Sequence, residues 1–288
     1  MENNSPLVLT RRQFLKKSTR WVLGACALGG LSGAYAYWVE PNWLEVKHVD
    51  VTLEQLPPAF HKFRIVHFSD LHLGHYLWPE DLTDLISHIN ELGPDLICFT
   101  GDFVDHETDV VAGAVSYLSQ LRAPFGQLAV LGNHDHGNNR EPVVSGLTAA
   151  GFDMLINEHV ALMHKEETLY VAGVDDHLAG ASDVEEALRG IPERACTILL
   201  SHEPDVADDY TRYPLALQLS GHSHGGQIRL PLLGSIYTPA LAKKYTSGLY
   251  TVPDSRLQVY TTRGIGTTRL PLRVHCRPEL SVITLHRA

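Results

Sequence analysis

Phe63-Arg-Ile-Val-His-Phe-Ser-Asp-Leu-His72 is the stretch on which the fold turns. An apolar run of strand length ends abruptly on a hydroxyl, a carboxylate and an imidazole. Later stretches repeat the plan. Asp95–Thr100 runs into Gly101-Asp-Phe-Val-Asp105, and Gln127–Leu131 into Gly132-Asn-His-Asp135. Ala195–Ser201 ends on His202, and Leu215–Ser220 runs into Gly221-His-Ser-His224. A further strand is expected at Thr168–Val174, and more at Gly248–Pro253, Leu257–Thr262 and Glu279–His286. Amphipathic stretches near Pro79–Leu92, Thr108–Leu121, Glu141–Ala150 and Ser182–Arg189 read as helices, with Pro79 suited to a first turn and Gly93-Pro94 to a stop. This alternation predicts a layered α/β architecture.

Ligands of α/β sheets bind beyond the carboxyl ends of strands, so polar clusters at five strand ends predict one shared site. The candidate set is Asp70, His72, Asp102, Asn133, His202, His222 and His224. It mixes carboxylate, amide and imidazole without thiolate. Such donors suit two adjacent divalent ions, Mn²⁺, Fe or Zn²⁺ rather than Ca²⁺ or a structural zinc, with one anionic group between them. Any one histidine is ordinarily solvent-facing or a hydrogen-bonded core residue; the ordered set carries the reading. His67, His75, His106, His136, His164 and His177 fall outside the set and are read in that ordinary way. The four cysteines are too few and too scattered for a disulfide framework, and Cys98 and Cys196 read as buried thiols on core strands.

Asp70-x-His72, Gly101-Asp-x-x-Asp105, Gly132-Asn-His-Asp135, His202 and Gly221-His-x-His224 resemble, in order and spacing, the five-block signature of the calcineurin-like metallophosphoesterases. The stretch Gly221–Pro231, with Arg263-Gly-Ile-Gly266, Arg277-Pro-Glu279 and Gly173-Val-Asp-Asp176, looks like the exported bacterial YaeI/YkuE-type phosphodiesterases. The resemblance implies an α/β/β/α sandwich of two mixed sheets flanked by helices. It implies that Asp70, His72, Asp102 and His224 hold one ion and that Asp102, Asn133, His202 and His222 hold the other, with Asp102 as the bridge. A hydroxide shared by both ions would attack phosphorus in line with the leaving oxygen. By the same resemblance His134 protonates the leaving group or stabilises the transition state, with Asp135 orienting it, and Asp105 orders its loop.

Charge is uneven along the chain. Of 23 basic and 33 acidic residues, five basic and one acidic fall within the first twenty, so the remainder carries 18 against 32. An acidic body repels nucleic-acid backbones, and no nucleic-acid partner is expected. Thr10-Arg-Arg-Gln-Phe-Leu-Lys-Lys17 resembles a twin-arginine export signal, which implies the twin-arginine translocase as a partner and a periplasmic destination. Behind it, Trp21–Val39 is uncharged and about long enough to cross a bilayer. Two fates stay open: cleavage after Ala34-Tyr35-Ala36, or retention as an inner-membrane anchor with an aromatic belt. Residues 1–45 are thus expected as leader and linker, and 46–288 as the hydrolase domain.

The expected substrate is a small or lipid-linked phosphodiester. Some relatives by resemblance are UDP-2,3-diacylglucosamine pyrophosphatases of lipid A synthesis; that alternative places the substrate on the cytoplasmic side, opposite the export signal. A catalytically silent binding module on the same fold would be expected to have lost ligands, and none is missing.

Overall fold

A computed structural model describes residues 10–137 and 139–288; the first nine residues of the expected leader lie outside them. In chain order the first strands are β1 (Glu45–Leu53), β2 (Arg64–Phe68), β3 (Leu96–Thr100), β4 (Gln127–Val130), β5 (Asp153–Met154), β6 (Glu158–His164) and β7 (Glu167–Gly173). There follow β8 (Thr197–Leu200), β9 (Leu217–Ser220), β10 (Arg229–Leu230), β11 (Gly234–Ser235), β12 (Gly248–Thr251), β13 (Gln258–Thr261) and β14 (Glu279–Arg287). The helices are α1 (Arg11–Ala34), α2 (Leu82–Glu91), α3 (Val111–Leu118), α4 (Asn133–His136), α5 (Glu141–Ala149) and α6 (Val184–Ala187).

Two mixed six-stranded sheets form the centre, in the orders β1-β14-β2-β3-β4-β5 and β12-β13-β9-β8-β7-β6. Within them β2, β3, β4 and β5 are parallel neighbours, as are β7, β8, β9 and β13. Strands buried on both faces read as continuous apolar runs, and their alternate residues serve different layers. Val66 and Phe68 of β2, with Ile97 and Phe99 of β3, face Leu85, Ile89, Val111 and Leu147 of the helices. Ile65, Leu96 and Cys98 point the other way, onto Leu169, Ile198 and Leu217 of the second sheet. A third cluster, including Ala172, Leu199, Val184 and Val259, covers that sheet's outer face. The result is an α/β/β/α sandwich of two mixed sheets flanked by helices.

The predicted strands appear with ends moved by a residue or two, most of them shorter, with β7 shifted one residue earlier and β14 one residue longer than expected. Two longer strands have no counterpart in the sequence reading, β1 and β6. Both are edge strands with partly exposed residues, so their apolar positions are diluted by Lys47, Asp50, His159 and His164.

Helix α1 has no buried residue and continues through turns at Tyr35–Val39 and Glu40–Asn42, so that Arg11–Asn42 is long and apolar enough to cross a membrane. Its end is docked on the domain. Ala36 is buried and its carbonyl accepts from the Arg273 amide at 3.0 Å; the buried Glu40 carboxylate accepts from the Cys276 amide at 2.5 Å.

Candidate metal centre

The carboxyl ends of β2, β3 and β4 from one sheet, and of β8 and β9 from the other, meet at one edge of the sandwich. Pairing between β2 and β3 continues past the strands, since the Asp70 amide donates to the Gly101 carbonyl at 2.9 Å and the His72 amide to the Asp102 carbonyl at 3.1 Å. That continuation sets Asp70, His72 and Asp102 side by side. Asp70, His72, Asp102, His222 and His224 all have φ between 48° and 64°. Left-handed backbone costs a non-glycine residue about 1–2 kcal/mol, so five such residues store roughly 5–10 kcal/mol. Each fully buried Leu, Ile or Phe of the surrounding layers contributes about 1.5–3 kcal/mol, enough for a handful to offset it. Strain concentrated on polar side chains that serve no core marks a site.

Gly132 and Gly221 leave room for the donors. A Cβ on Gly132 would lie 2.4 Å from Asp102 Oδ1, and one on Gly221 would lie 2.0 Å from Ser69 Oγ and 2.4 Å from Asp70 Oδ2.

Donor atoms of Asp70, His72, Asp102 and His224 lie within 4.8 Å of one another, and so do those of Asp102, His202 and His222. One oxygen, Asp102 Oδ2, faces both groups, 3.4 Å from His72 Nε2 and 3.1 Å from His202 Nε2. Its other oxygen accepts from the His134 amide at 2.9 Å. Asp70 Oδ1 is 3.4 Å from His224 Nε2.

Tautomers test whether cations fit. His202 Nδ1 lies 2.7 Å from the Thr100 carbonyl and His222 Nε2 lies 2.9 Å from the Ala240 carbonyl. A carbonyl only accepts, so both nitrogens carry hydrogen, and in the neutral rings that metal ligation requires the opposite ring nitrogens are lone pairs. Those two lone pairs, His202 Nε2 and His222 Nδ1, face each other at 3.1 Å. His72 Nδ1 is likewise turned to Asp105 Oδ1 at 3.1 Å, and its Nε2 meets His224 Nε2 at 3.0 Å. Facing imidazole nitrogens beside carboxylates repel unless a proton or a metal cation stands between them, and ligation by a divalent ion would displace the proton. Asn133 Oδ1 is buried without a partner, as an amide oxygen is when its acceptor capacity serves a metal. The donor set therefore fits two divalent ions.

The electrostatics lean the same way. Burial opposes ionisation of Asp102, yet the imidazoles of His202 and His72 hold its carboxyl well below the usual range. Burial and the charge of His202 push His222 down to about 3, leaving it neutral as a ligand must be. At His202 burial is outweighed by the Asp102 carboxylate, which holds the pKa well above its ordinary value, so a divalent ion there would displace a proton.

His134 is half-buried beside the cluster, with its ring edge-on to His72 at 4.6 Å and stacked on His106 at 5.3 Å. Its Nδ1 donates to the Asp105 carbonyl at 2.6 Å. Here one expectation is corrected. Asp135 does not orient His134: its Oδ1 accepts from the Phe103 and Val104 amides at 2.7 and 3.2 Å, and its Oδ2 from the Gly132 amide at 2.9 Å. Both oxygens are committed to joining the loops after β3 and β4, and the Asp105 backbone positions His134 instead. Asp105 has a second task unread in sequence, since its carboxylate fixes the His72 tautomer. The Ala240 and Thr100 carbonyls were equally invisible, because a backbone group carries no residue signature.

The site opens into a cleft of about 450 Å³, floored by Asp102, Asn133, His134, His222 and His224 and walled by apolar residues including Ile236, Tyr237 and Leu270. Of the arginines, Arg263 is paired with Glu279 and Glu45, Arg229 donates to the Gly225 carbonyl, and Arg273 is spent on backbone carbonyls. Arg269 lines the cleft over Tyr237.

Comparison with known proteins bears on this geometry. Residues 63–226 match the family description "Calcineurin-like phosphoesterase". The chain is 42% identical to metallophosphoesterase YkuE of Bacillus subtilis over 96% of its length and 98% of that protein. It is 30% identical to phosphodiesterase YaeI of Escherichia coli, covering 96% of this chain and all of that one. It is also 29% identical to UDP-2,3-diacylglucosamine pyrophosphatase LpxG of Chlamydia trachomatis, over 82% of this chain and 88% of that protein.

Proposed function

Because the chain belongs to the calcineurin-like phosphoesterase family, and is thus a metal-dependent phosphoester hydrolase, we propose that it hydrolyses a phosphodiester outside the cytoplasm while tethered to the membrane. In this reading residues 1–45 are export signal and anchor, with the apolar helix from Trp21 entering the bilayer and its end at Tyr35–Asn42 docked on the domain, and residues 46–288 are the hydrolase. The observation that carries the chemistry is Asp102 Oδ2 facing two separate groups of ligand-type donors, through His72 Nε2 on one side and His202 Nε2 on the other. Asp70, His72, Asp102 and His224 would hold one divalent ion; Asp102, Asn133, His202 and His222 would hold the other. Mn²⁺, Fe or Zn²⁺ suits these donors. Such a pair, when bound, supplies Lewis acidity toward the phosphoryl oxygens and makes hydroxide accessible near neutral pH.

The chain's own groups supply the rest. Asp105, Thr100 and Ala240 hold the rings of His72, His202 and His222 in the tautomers that present lone pairs. His134, with Nδ1–H held by the Asp105 carbonyl, leaves Nε2 free, and in the imidazolium form Nε2–H would give its proton to the departing oxygen and return the ring to the neutral Nδ1–H tautomer. Export and tethering are supported by Arg11-Arg12 at the start of a helix long and apolar enough to span. A pyrophosphate bond in a UDP-linked diacyl sugar is the second reading, supported by likeness to LpxG and by the apolar cleft walls. The export signal favours the first.

The test is turnover of bis-p-nitrophenyl phosphate by the full chain under Mn²⁺, compared with Asp102→Asn and with chelator-treated protein. Turnover that vanishes in both is expected. An Asp102→Asn variant as active as wild type would refute the reading.

A further inference from the structure

Beside the cleft, β10 and β11 form a hairpin that turns through Pro231-Leu232-Leu233. Leu232 stands clear of the protein and Leu233 is 80% exposed; Ile236, Tyr237 and Leu270 on the cleft wall are exposed as well. Covering a large apolar side chain is worth about 1.5–3 kcal/mol, so a contiguous cluster left in water at the mouth of a site points to a partner. Three observations indicate which partner. First, residues 227–242 and 263–277, which supply the hairpin and the opposite wall, contain no acidic residue in a chain of net charge -10, and of their five arginines Arg269 stands among the apolar side chains of the cleft wall while the other four are bound to Glu45, Glu279 or backbone carbonyls. Second, the hairpin is anchored to the membrane-length helix by adjacent residues: the Arg229 amide donates to the Val274 carbonyl at 2.9 Å, and the Arg273 amide to the Ala36 carbonyl at 3.0 Å. Third, the helix cannot swing freely from the domain, because the buried Glu40 ties its last turn to Cys276.

We infer that the Pro231–Leu233 turn, together with Ile236, Tyr237 and Leu270, is a lip that enters an anionic lipid bilayer and seats the mouth of the cleft on it. Apolar side chains bury themselves in the acyl boundary while Arg269 beside them meets a headgroup phosphate. The anchor fixes where the domain meets the membrane; the lip fixes which way it faces. This rests on the tethered reading above.

The experiment uses the full chain in vesicles of phosphatidylcholine and phosphatidylglycerol. In a Cys26→Ser background the other cysteines are buried, so Leu233→Cys takes an NBD label selectively. A parallel Met163→Cys label, exposed on β6 at the opposite end of the strands from the site, reports aqueous behaviour. The expected result is blue-shifted NBD emission at Leu233, quenched by doxyl lipids and several-fold less by iodide than the label at Met163. Equal iodide quenching at the two positions overturns the lip. Carbonate extraction tests the tether on its own: a chain that stays in the pellet supports it, and a chain that is released overturns it. Neither readout depends on turnover, so failure of the phosphodiesterase reading would be seen separately.

Discussion

Replacing Asp135 distinguishes a brace from a proton carrier. The side chain is almost fully buried and accepts three backbone N–H bonds, from Phe103, Val104 and Gly132. Burial and the neighbouring Asp102 carboxylate push the Asp135 carboxyl up to about 7. Near neutral pH its hydrogen bonds therefore lie between those to a neutral acceptor, about 0.5–1.5 kcal/mol each, and those to a charged one, about 1.5–3 kcal/mol, and a buried amide left without a partner costs about 1–3 kcal/mol. Asp135→Ala strands three amides. With the loops relaxing around the gap, the lower end applies, roughly 3–5 kcal/mol. At about 2–4 °C per kcal/mol for a domain of this size, Tm should fall by roughly 6–20 °C. Asp135→Asn keeps one accepting oxygen and sets an NH₂ against the other amide, so a loss of about 2–3 kcal/mol is expected. The assay is thermal unfolding by circular dichroism, beside the pH dependence of kcat. A destabilised Asp135→Asn whose residual activity keeps the wild-type pH profile fits the brace. Unchanged Tm with a displaced pH profile would refute it and return Asp135 to proton transfer.

His134→Ala should retain metal content by elemental analysis yet lose about 10²–10⁴ in kcat, the usual contribution of a positioned acid; loss of metal would make it a structural residue instead. Gly221→Ala forces a Cβ against Ser69 and Asp70. We expect it to fold but bind metal at least tenfold more weakly in competition with a fluorescent chelator, and wild-type affinity would show that the loop yields.

The central strands were legible because they are buried on both faces, so nothing dilutes their apolar runs between Phe63 and Ser220. Their carboxyl ends were legible because a polar cluster directly after a strand has no core role. The structure brings all seven candidate ligands to one edge of the sandwich. Edge strands β1 and β6 escaped because one edge and part of their surface face water. The docked turns at Tyr35–Asn42 escaped because an apolar leader and an apolar packing segment look alike in sequence; Glu40, a buried carboxylate on an amide, was the only unusual residue there. Asp135 was misread because sequence adjacency to His134 suggested side-chain contact, whereas in α4 neighbouring residues project in different directions.

The most direct measurement is the metal inventory of the full chain, taken by plasma mass spectrometry beside anomalous scattering from crystals. Two divalent ions per chain are predicted, flanking the Asp102 carboxylate, with Asp102→Asn losing at least one of them. A fully loaded wild-type protein holding a single ion, or two ions that share no Asp102 oxygen, would contradict the proposed centre.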